Sequence, residues 1–248
     1  MLLTSGRRSW EIILAGLMFG VLFALSASMP RAQTPDHQGL KILTVAGGGI
    51  RDPLYITKVS VAGYEMLLGS PLGLHPKGNL IFSGRPFQAG SEWLDSMTVY
   101  LRNRTVKNIV FVDIPVGFPE TGDGHTSPQS IYHVRLGRQP AVDAFDGRTG
   151  KPLLPHPHVQ QLSIVQGGTL AIRIADYMDQ LKSYVDQVMP FGTVTKCTIY
   201  GTKGCFEDGT CWAGDSFSAP DPSHPGRFKP LGPDYFPGDP HQYWPPGS

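Results

Sequence analysis

The segment 123–158 contains the residues best suited to binding a metal ion. Its candidate ligands are four histidines and two aspartates, namely His125, His133, His156, His158, Asp123 and Asp143. Imidazole and carboxylate groups together bind divalent metals. Pro157, however, interrupts the strand that would place its two neighbouring histidines on one face, and a single surface histidine usually binds nothing. We therefore predict no metal site and no cofactor.

Three carboxylates that precede this segment, near the ends of predicted strands, raise the question of glycoside cleavage, which requires a pair of acidic side chains. They are Asp95, Asp113 and Glu120. Their spacing in the sequence does not give the distance between the carboxyl groups in space, and carboxylates at strand ends more often form turns. The sequence also lacks a Gly-x-Ser-x-Gly nucleophile motif. We predict no catalytic residues, and retain as the alternative a hydrolase, with or without a metal ion, that uses the 123–158 region.

The three cysteines, Cys197, Cys205 and Cys211, lie within a short stretch near the C-terminal end. Their spacing matches neither a Cys-x-x-Cys redox motif nor a pair of zinc ligands. A three-residue loop over 207–209, with Gly209 in the left-handed conformation, places Cys205 directly opposite Cys211 on two paired strands. We therefore predict a Cys205–Cys211 disulfide, while the role of Cys197 stays open.

Aromatic residues are concentrated among the prolines of the last 40 residues. Such side chains stack on sugars and dock other proteins, whereas the simpler interpretation is that some pack on the domain and the rest belong to an unstructured tail. The candidate binding aromatics are Trp212, Phe228, Tyr235, Phe236, Tyr243 and Trp244.

The N-terminus has the pattern of an export signal. Arg7 and Arg8 precede an apolar stretch, Ile12–Ala27, and small residues follow. The stretch is shorter than the roughly 30 Å hydrocarbon core requires, which favours cleavage, although an uncleaved membrane anchor remains the alternative. We expect an exported protein, periplasmic or extracellular, whose contact with the membrane is limited to residues 12–27.

Composition and charge exclude several classes of protein. The chain of 248 residues has 30 glycines, 23 prolines, 40% apolar residues and a net charge of +1, and loss of residues 1–32 would change that charge to −1. A nucleic-acid-binding protein would be more basic, and a disordered chain would be less apolar. We expect no nucleic-acid partner, but rather a protein or a glycan of the cell envelope.

The elements that must position these residues are short strands. Alternation predicts strands over 54–61, 97–101, 107–114, 131–136, 159–165, 169–174, 194–200 and 203–206. The 107–114 strand is apolar on both faces and is therefore predicted to be central, ending at Pro115; a hairpin or a tight corner connects it to the strand before it. Apolar residues from Tyr177 to Val188 predict one helix, with Asp176 as its N-cap and Pro190 as its stop, crossing an end of the fold.

Two stretches resemble a known group of proteins. Residues 206–212, followed by 221–230, and residues 93–99, continuing through Asn103 to Phe118-Pro119, are similar to uncharacterised exported bacterial proteins with an immunoglobulin-like β-sandwich. This resemblance implies a mainly β, immunoglobulin-like antiparallel sandwich, and it carries no functional residues with it. We predict a signal peptide or anchor over 1–32, a linker over 33–53, the sandwich over 54–232 and a tail over 233–248. The function we expect is that of a non-enzymatic interaction or structural module.

Overall fold

The fold consists mainly of strands arranged in two sheets. The computed structural model describes residues 38–47, 52–68, 79–122, 129–139, 161–224, 227–232 and 234–237, which belong to one compact unit, Gln38–Ser248. In these ranges there are fourteen strands and one α-helix, α1, Met178–Val185. The strands are β1 Gly39–Ala46, β2 Leu54–Val61, β3 Tyr64–Leu67, β4 Asn79–Leu80, β5 Pro86–Ala89, β6 Thr98–Asn103, β7 Ile109–Phe118, β8 Ser130–Gly137, β9 Thr169–Arg173, β10 Lys196–Tyr200, β11 Lys203–Phe206, β12 Cys211–Ala213, β13 Ser216–Pro220 and β14 Phe228–Pro230.

The larger sheet has the order β14-β13-β12-β11-β7-β10-β1-β5. Strands β11 and β10 share one edge of β7, and β8 pairs with its opposite edge. The smaller sheet has the order β4-β3-β2-β6-β9. Most neighbours are antiparallel, whereas β1 runs parallel to β10 and β3 runs parallel to β4. The apolar faces of both sheets enclose one core, in which Leu43, Val99 and Ile114 are fully buried. A mainly β fold with two sheets is thus confirmed, and it is consistent with a β-sandwich.

The corner between β6 and β7 carries the chain from the small sheet to the large one. Asn103, which is 1% exposed, organises this corner. Its Nδ2 donates to the carbonyls of Lys107 and Ile164, both at 2.8 Å, and to that of Val165 at 3.1 Å. Its Oδ1 accepts from the backbone N–H and the hydroxyl of Thr105, both at 2.8 Å. Of the two predicted connections, the tight corner is therefore the correct one.

Strand β7 is central, as predicted, but Pro115 does not end it. The strand continues to Phe118, and β8 pairs with it along 111–118. On the other edge, β11 pairs with residues 109–113 and β10 with 116–117, so Pro115 lies where that edge has no partner. A proline is tolerated there because it interrupts no ladder on that side. The last residue of β10 that pairs with β7 is Ile199 and the first of β11 is Lys203, so residues 200–202 have no partner on β7 and form a bulge. Within it, the hydroxyl of Thr202 donates to the carbonyl of Leu54 at 2.8 Å.

Residues 39–46, within the predicted linker, form β1 of the large sheet. Strand β1 pairs with β10 and β5, and Leu43 on it is fully buried. Gly47 follows with φ of +106°, and a Cβ at this position would lie 2.6 Å from the backbone nitrogen of Gly201. The folded region therefore begins before residue 54.

The predictions for residues 1–32 lie outside the described residues, and among the described ones no helix is both long and apolar enough to cross a membrane.

The predicted helix is present but shorter than its apolar pattern. A 3-10 turn, Ile174–Tyr177, precedes α1, so Asp176 lies inside that turn and no side chain caps the helix. Leu181 is fully buried, whereas Val188, beyond the helix end, is 58% exposed. The apolar spacing continues past the end of α1 into a turn in which the N–H of Val188 donates to the carbonyl of Val185 at 2.9 Å, and that continuation extended the prediction too far.

Candidate functional site

The hairpin between β11 and β12 has the geometry predicted for it. Cys205 lies opposite Cys211 in the register, and their sulfur atoms are 2.08 Å apart, forming a disulfide. Gly209 has φ of +84°, and its N–H donates to the carbonyl of Phe206 at 3.0 Å, while the N–H of Phe206 donates to Thr210 at 2.8 Å. A three-residue loop with a left-handed glycine has this pattern. Residues 207–209 therefore set the register that brings the two cysteines together.

Cys197 has a different environment from the bridged pair. It is a free cysteine on β10, fully buried in the core between the two sheets. Burial raises the pKa of its thiol to about 12, because the thiolate would be unsolvated there. A protonated, inaccessible thiol is a poor nucleophile and a poor metal ligand, so Cys197 acts as a core residue.

Those candidate binding aromatics that fall in the described part of the chain are packed within the fold. Trp212 is 2% exposed, and its ring centroid lies 5.0 Å from that of Phe206. Tyr235 and Phe236 meet the ring of Phe217 at centroid distances of 5.5 and 5.7 Å. Phe228 packs against the disulfide and Phe111. Tyr243 and Trp244 lie outside the described residues.

The three carboxylates considered for glycoside cleavage occupy separate places. Glu120, in a 3-10 turn after β7, accepts from the backbone N–H groups of Thr195 and Lys196 at 2.7 and 3.0 Å. Its other oxygen accepts from the hydroxyl of Thr195. Both oxygens are thus used to connect this turn to the start of β10. Glu120 is a structural residue rather than a member of an acid pair.

Asp95 forms a pair with Glu92, which the sequence analysis did not single out. The ammonium of Lys182 on α1 lies 3.1 Å from Glu92 Oε2 and 3.5 Å from Asp95 Oδ2. Burial, and then the hydrogen bond to Glu92, raise the pKa of Asp95, whereas that hydrogen bond and Lys182 lower the pKa of Glu92. Both carboxyl groups are engaged by the same ammonium, that of Lys182. The pair therefore serves to attach the turn at 93–96 to α1.

Asp113 is the carboxylate with the most unusual position. It lies on β7 with its side chain on the outer face of the large sheet, yet the residue is only 7% exposed. The Nδ1 of His133 on β8 lies 2.8 and 3.0 Å from its two oxygens, and the Nε of Arg135 lies 3.5 Å from Oδ2. Lys203 on β11 is its direct cross-strand neighbour on the other side. We call these four residues the His133 cluster.

The geometry of the His133 cluster follows from the strand register. Asp113 is opposite Arg135 and His133 is opposite Pro115, so all of these side chains project from the same face. The carboxylate fixes the imidazole through Nδ1, which leaves Nε2 directed away from Asp113. The side chain of Arg135 is 63% exposed and that of His133 is 35% exposed. One shielded carboxylate thus holds an accessible imidazole and contacts the exposed Arg135, and Lys203 lies on the neighbouring strand.

An aromatic side chain borders the His133 cluster along β7. The ring of Tyr200 lies over Gly117, because a Cβ on that glycine would come within 2.7 Å of Tyr200 Cε2. The Tyr200 hydroxyl is hydrogen-bonded to Gln129, just before β8. The ring therefore crosses from β10 toward β8 over a position without a side chain. This arrangement places a tyrosine beside the polar cluster on the same sheet face.

His133 and Asp113 were each predicted as candidate residues, but not as partners. Only the register between β7 and β8 brings the two side chains together. That register depends on how the 119–129 connection folds, which periodicity alone does not give. His125, His156, His158, Asp123 and Asp143 lie outside the described residues. Among the described residues, no group of three or more histidine, cysteine or acidic side chains is arranged to hold a metal ion.

In comparisons with known proteins, the chain matches no family model, no curated protein and no solved structure.

Proposed function

We propose that the protein is a non-enzymatic, exported interaction module of the cell envelope, and that it contacts a protein or glycan through the His133 cluster. The proposal includes an immunoglobulin-like topology for the sandwich, and it includes no nucleic-acid partner. The observation that carries it is the imidazole of His133, which the carboxylate of Asp113 holds on the outer face of the large sheet beside the exposed cations Arg135 and Lys203. Such groups, held in place before binding, give contact specificity at a low entropic cost.

Two features support export. The 1–32 segment has the pattern of a signal peptide or anchor, and Cys205 and Cys211 form a disulfide. Disulfides persist in oxidising compartments and are rare in the cytosol. Alkaline phosphatase fused after residue 53 in a bacterial host tests this part, since that reporter enzyme is active only after export. An inactive fusion of normal abundance would refute export.

The remaining chemically suited side chains favour binding over catalysis. Glu120 holds backbone N–H groups, Cys197 is buried, and Trp212 is packed in the core. Glu120 is bonded within the fold and the other two side chains are buried, so they are not accessible to a substrate. The cations of the His133 cluster are different, because Arg135 and Lys203 reach the solvent.

Site-specific photo-cross-linking of the full chain tests the contact surface. A photoreactive phenylalanine analogue replaces Arg135 in one variant and, as the control, exposed Lys229 on β14 in another. We expect an envelope adduct from position 135 that Lys203→Gln weakens and that the control position does not give. Equal labelling from both positions would contradict a contact at the His133 cluster.

The alternative function, an envelope hydrolase, is favoured by one specific observation. A carboxylate bonded to Nδ1 of His133 is the arrangement that orients a general base. A panel of ester, glycoside and phosphoester substrates tests it with purified full chain. Turnover that His133→Gln abolishes would replace the binding proposal with the hydrolase, while turnover unchanged by that substitution would assign no catalytic role to His133.

A further inference from the structure

The outer face of the small sheet combines cations and tyrosines in a regular array. Across β2, β6 and β9, the side chains that alternate with the core residues project outward. The register places Tyr55 opposite Arg102, Lys58 opposite Tyr100, and Thr98 opposite Arg173. We call this surface the small-sheet face.

Two of its cations are held over aromatic rings. The ammonium of Lys58 lies 4.4 Å from the ring centroid of Tyr100, and the guanidinium carbon of Arg104 lies 3.6 Å from that of Tyr55. Lys58 is also 2.9 Å from Glu65 on β3. Contacts between a cation and a ring restrict the rotamers of a long side chain. These charges are therefore fixed in position before any ligand arrives.

The charge of the small-sheet face is strongly one-sided. In the described part of β2, β6 and β9, the outward positions include Lys58, Arg102 and Arg173 but no acidic residue, and Arg104 adds a further cation. The carboxylate beside this array is Glu65 on β3. The whole chain has a net charge of only +1. The small-sheet face therefore carries an excess of positive charge, which attracts and orients an anionic partner.

The spacing of these cations favours an extended ligand over a small one. Arg102 and Thr98 are four residues apart on β6, a distance of roughly 13 Å at the strand rise, and Arg173 lies beside Thr98. Lys58 lies between these ends. A single small anion would bind both arginines only if their side chains bent toward each other, whereas a linear polyanion lying along the strands contacts all three cations where they project.

The polar residues between the cations favour a sugar polymer. Hydroxyl groups of Ser60, Thr98 and Thr169 occupy outward positions in the same array and can exchange hydrogen bonds with sugar hydroxyls. Single-stranded nucleic acid would instead need open aromatic faces for base stacking. Here Tyr55 and Tyr100 each already have a cation over the ring.

We infer that the small-sheet face binds an anionic polysaccharide, a chain of sugars carrying carboxylate or sulfate groups. This inference goes beyond the proposed function, because it concerns the other sheet and uses no residue of the His133 cluster. Either function therefore stands if the other fails.

Binding of the purified full chain to soluble polymers tests the inference. Polygalacturonate and dextran sulfate are the carboxylate and sulfate probes, neutral dextran is the uncharged control, and single-stranded oligothymidylate represents nucleic acid. We expect both anionic polysaccharides to bind, with affinity that falls as salt rises because counterions are released. The tighter of the two identifies the preferred anionic group. Equal binding of neutral dextran, or tighter binding of the oligonucleotide, would overturn the inference.

Matched variants locate the surface. Arg102→Gln with Arg173→Gln removes two exposed cations from the small-sheet face, while Lys196→Gln with Lys229→Gln removes two exposed cations from the large sheet. We expect the first pair to weaken binding at least tenfold and to reduce the salt slope, and the second pair to change affinity less than threefold. Equal losses in both pairs would refute a specific face.

A third variant keeps the test decisive if loss of the two arginines disturbs the fold. Arg102→Lys with Arg173→Lys preserves both charges, and we expect it to retain most of the affinity. Thermal unfolding of every variant checks that the domain is intact. Loss of binding in the folded lysine variant would contradict recognition by charge.

Discussion

Replacement of Asn103 tests whether the β6–β7 corner depends on a single side chain. In Asn103→Ala, the backbone N–H of Thr105 loses its bond to Oδ1, at a site where Thr105 is fully buried. The carbonyls of Ile164 and Val165 each keep one other donor, Ile109 and Gly168 respectively. An unsatisfied buried donor costs about 1–3 kcal/mol and each lost hydrogen bond about 1 kcal/mol. We therefore expect a loss of about 4 kcal/mol in the free energy of unfolding.

Urea unfolding of the purified protein, followed by tryptophan fluorescence, measures this loss. The matched control is Asn108→Ala in the same corner, because Asn108 bonds the exposed Glu207; we expect a change below about 0.5 kcal/mol there. Asn103→Asp should be at least as harmful as the alanine variant, since it directs an oxygen at three carbonyl oxygens. An Asn103→Ala loss under about 1 kcal/mol, or one equal to the control, would refute the argument.

Three further predictions concern the cysteines and a surface ion pair. Replacing both Cys205 and Cys211 by alanine should lower stability by about 2 kcal/mol in urea unfolding, because a sequence separation of 6 encloses only a short loop; a loss above about 4 kcal/mol would contradict this. Burial raises the pKa of Cys197 from 9.0 to about 12, so between these two pH values the unfolded chain binds fewer protons than the folded protein. The free energy of unfolding should therefore fall as the pH rises through this range. A Cys197→Ala variant whose stability falls with the same slope would show that Cys197 is not the group responsible. Burial would raise the pKa of Asp208, but hydrogen bonds from Lys107 and Thr210 outweigh it and lower that pKa. The contribution of Asp208 to the stability of the fold is therefore present above the ordinary carboxyl pKa and is lost on acidification. Because this side chain is 44% exposed, Asp208→Asn should lower the stability by under about 1 kcal/mol at pH 7, as measured in thermal melts.

The sequence predicted those features that depend on local conformation. The Cys205–Cys211 pairing followed from loop length and the left-handed conformation of Gly209, and both are local properties. The central position of β7 followed from apolar residues on both faces, because a strand that is buried on both sides must have neighbours. Periodicity and turn chemistry were sufficient in these two places.

Other features depended on tertiary context that the sequence does not display. Pro115 is tolerated in β7 because β10 and β11 leave a gap beside it, and that gap arises from a bulge some 85 residues later in the chain. Strand β1 was predicted to be part of a linker, because its partners in the sheet are distant in sequence. The pairing of His133 with Asp113 has the same origin, since it depends on the register between β7 and β8. Local pattern could name these two residues but could not bring them together.

The parallel pairing of β1 with β10 has a consequence for the order of folding. Ile42 pairs with Lys196, and the ammonium of Lys41 donates to the carbonyl of Val194, 153 residues farther along the chain. Loops of that length close slowly, so contacts between the two ends of the chain form late. During synthesis, β1 has no partner in its longest ladder until residue 200 has been added. The large sheet is therefore completed only after almost the whole domain has been made, and a chain stopped before β10 would leave β1 and one edge of β7 exposed for aggregation.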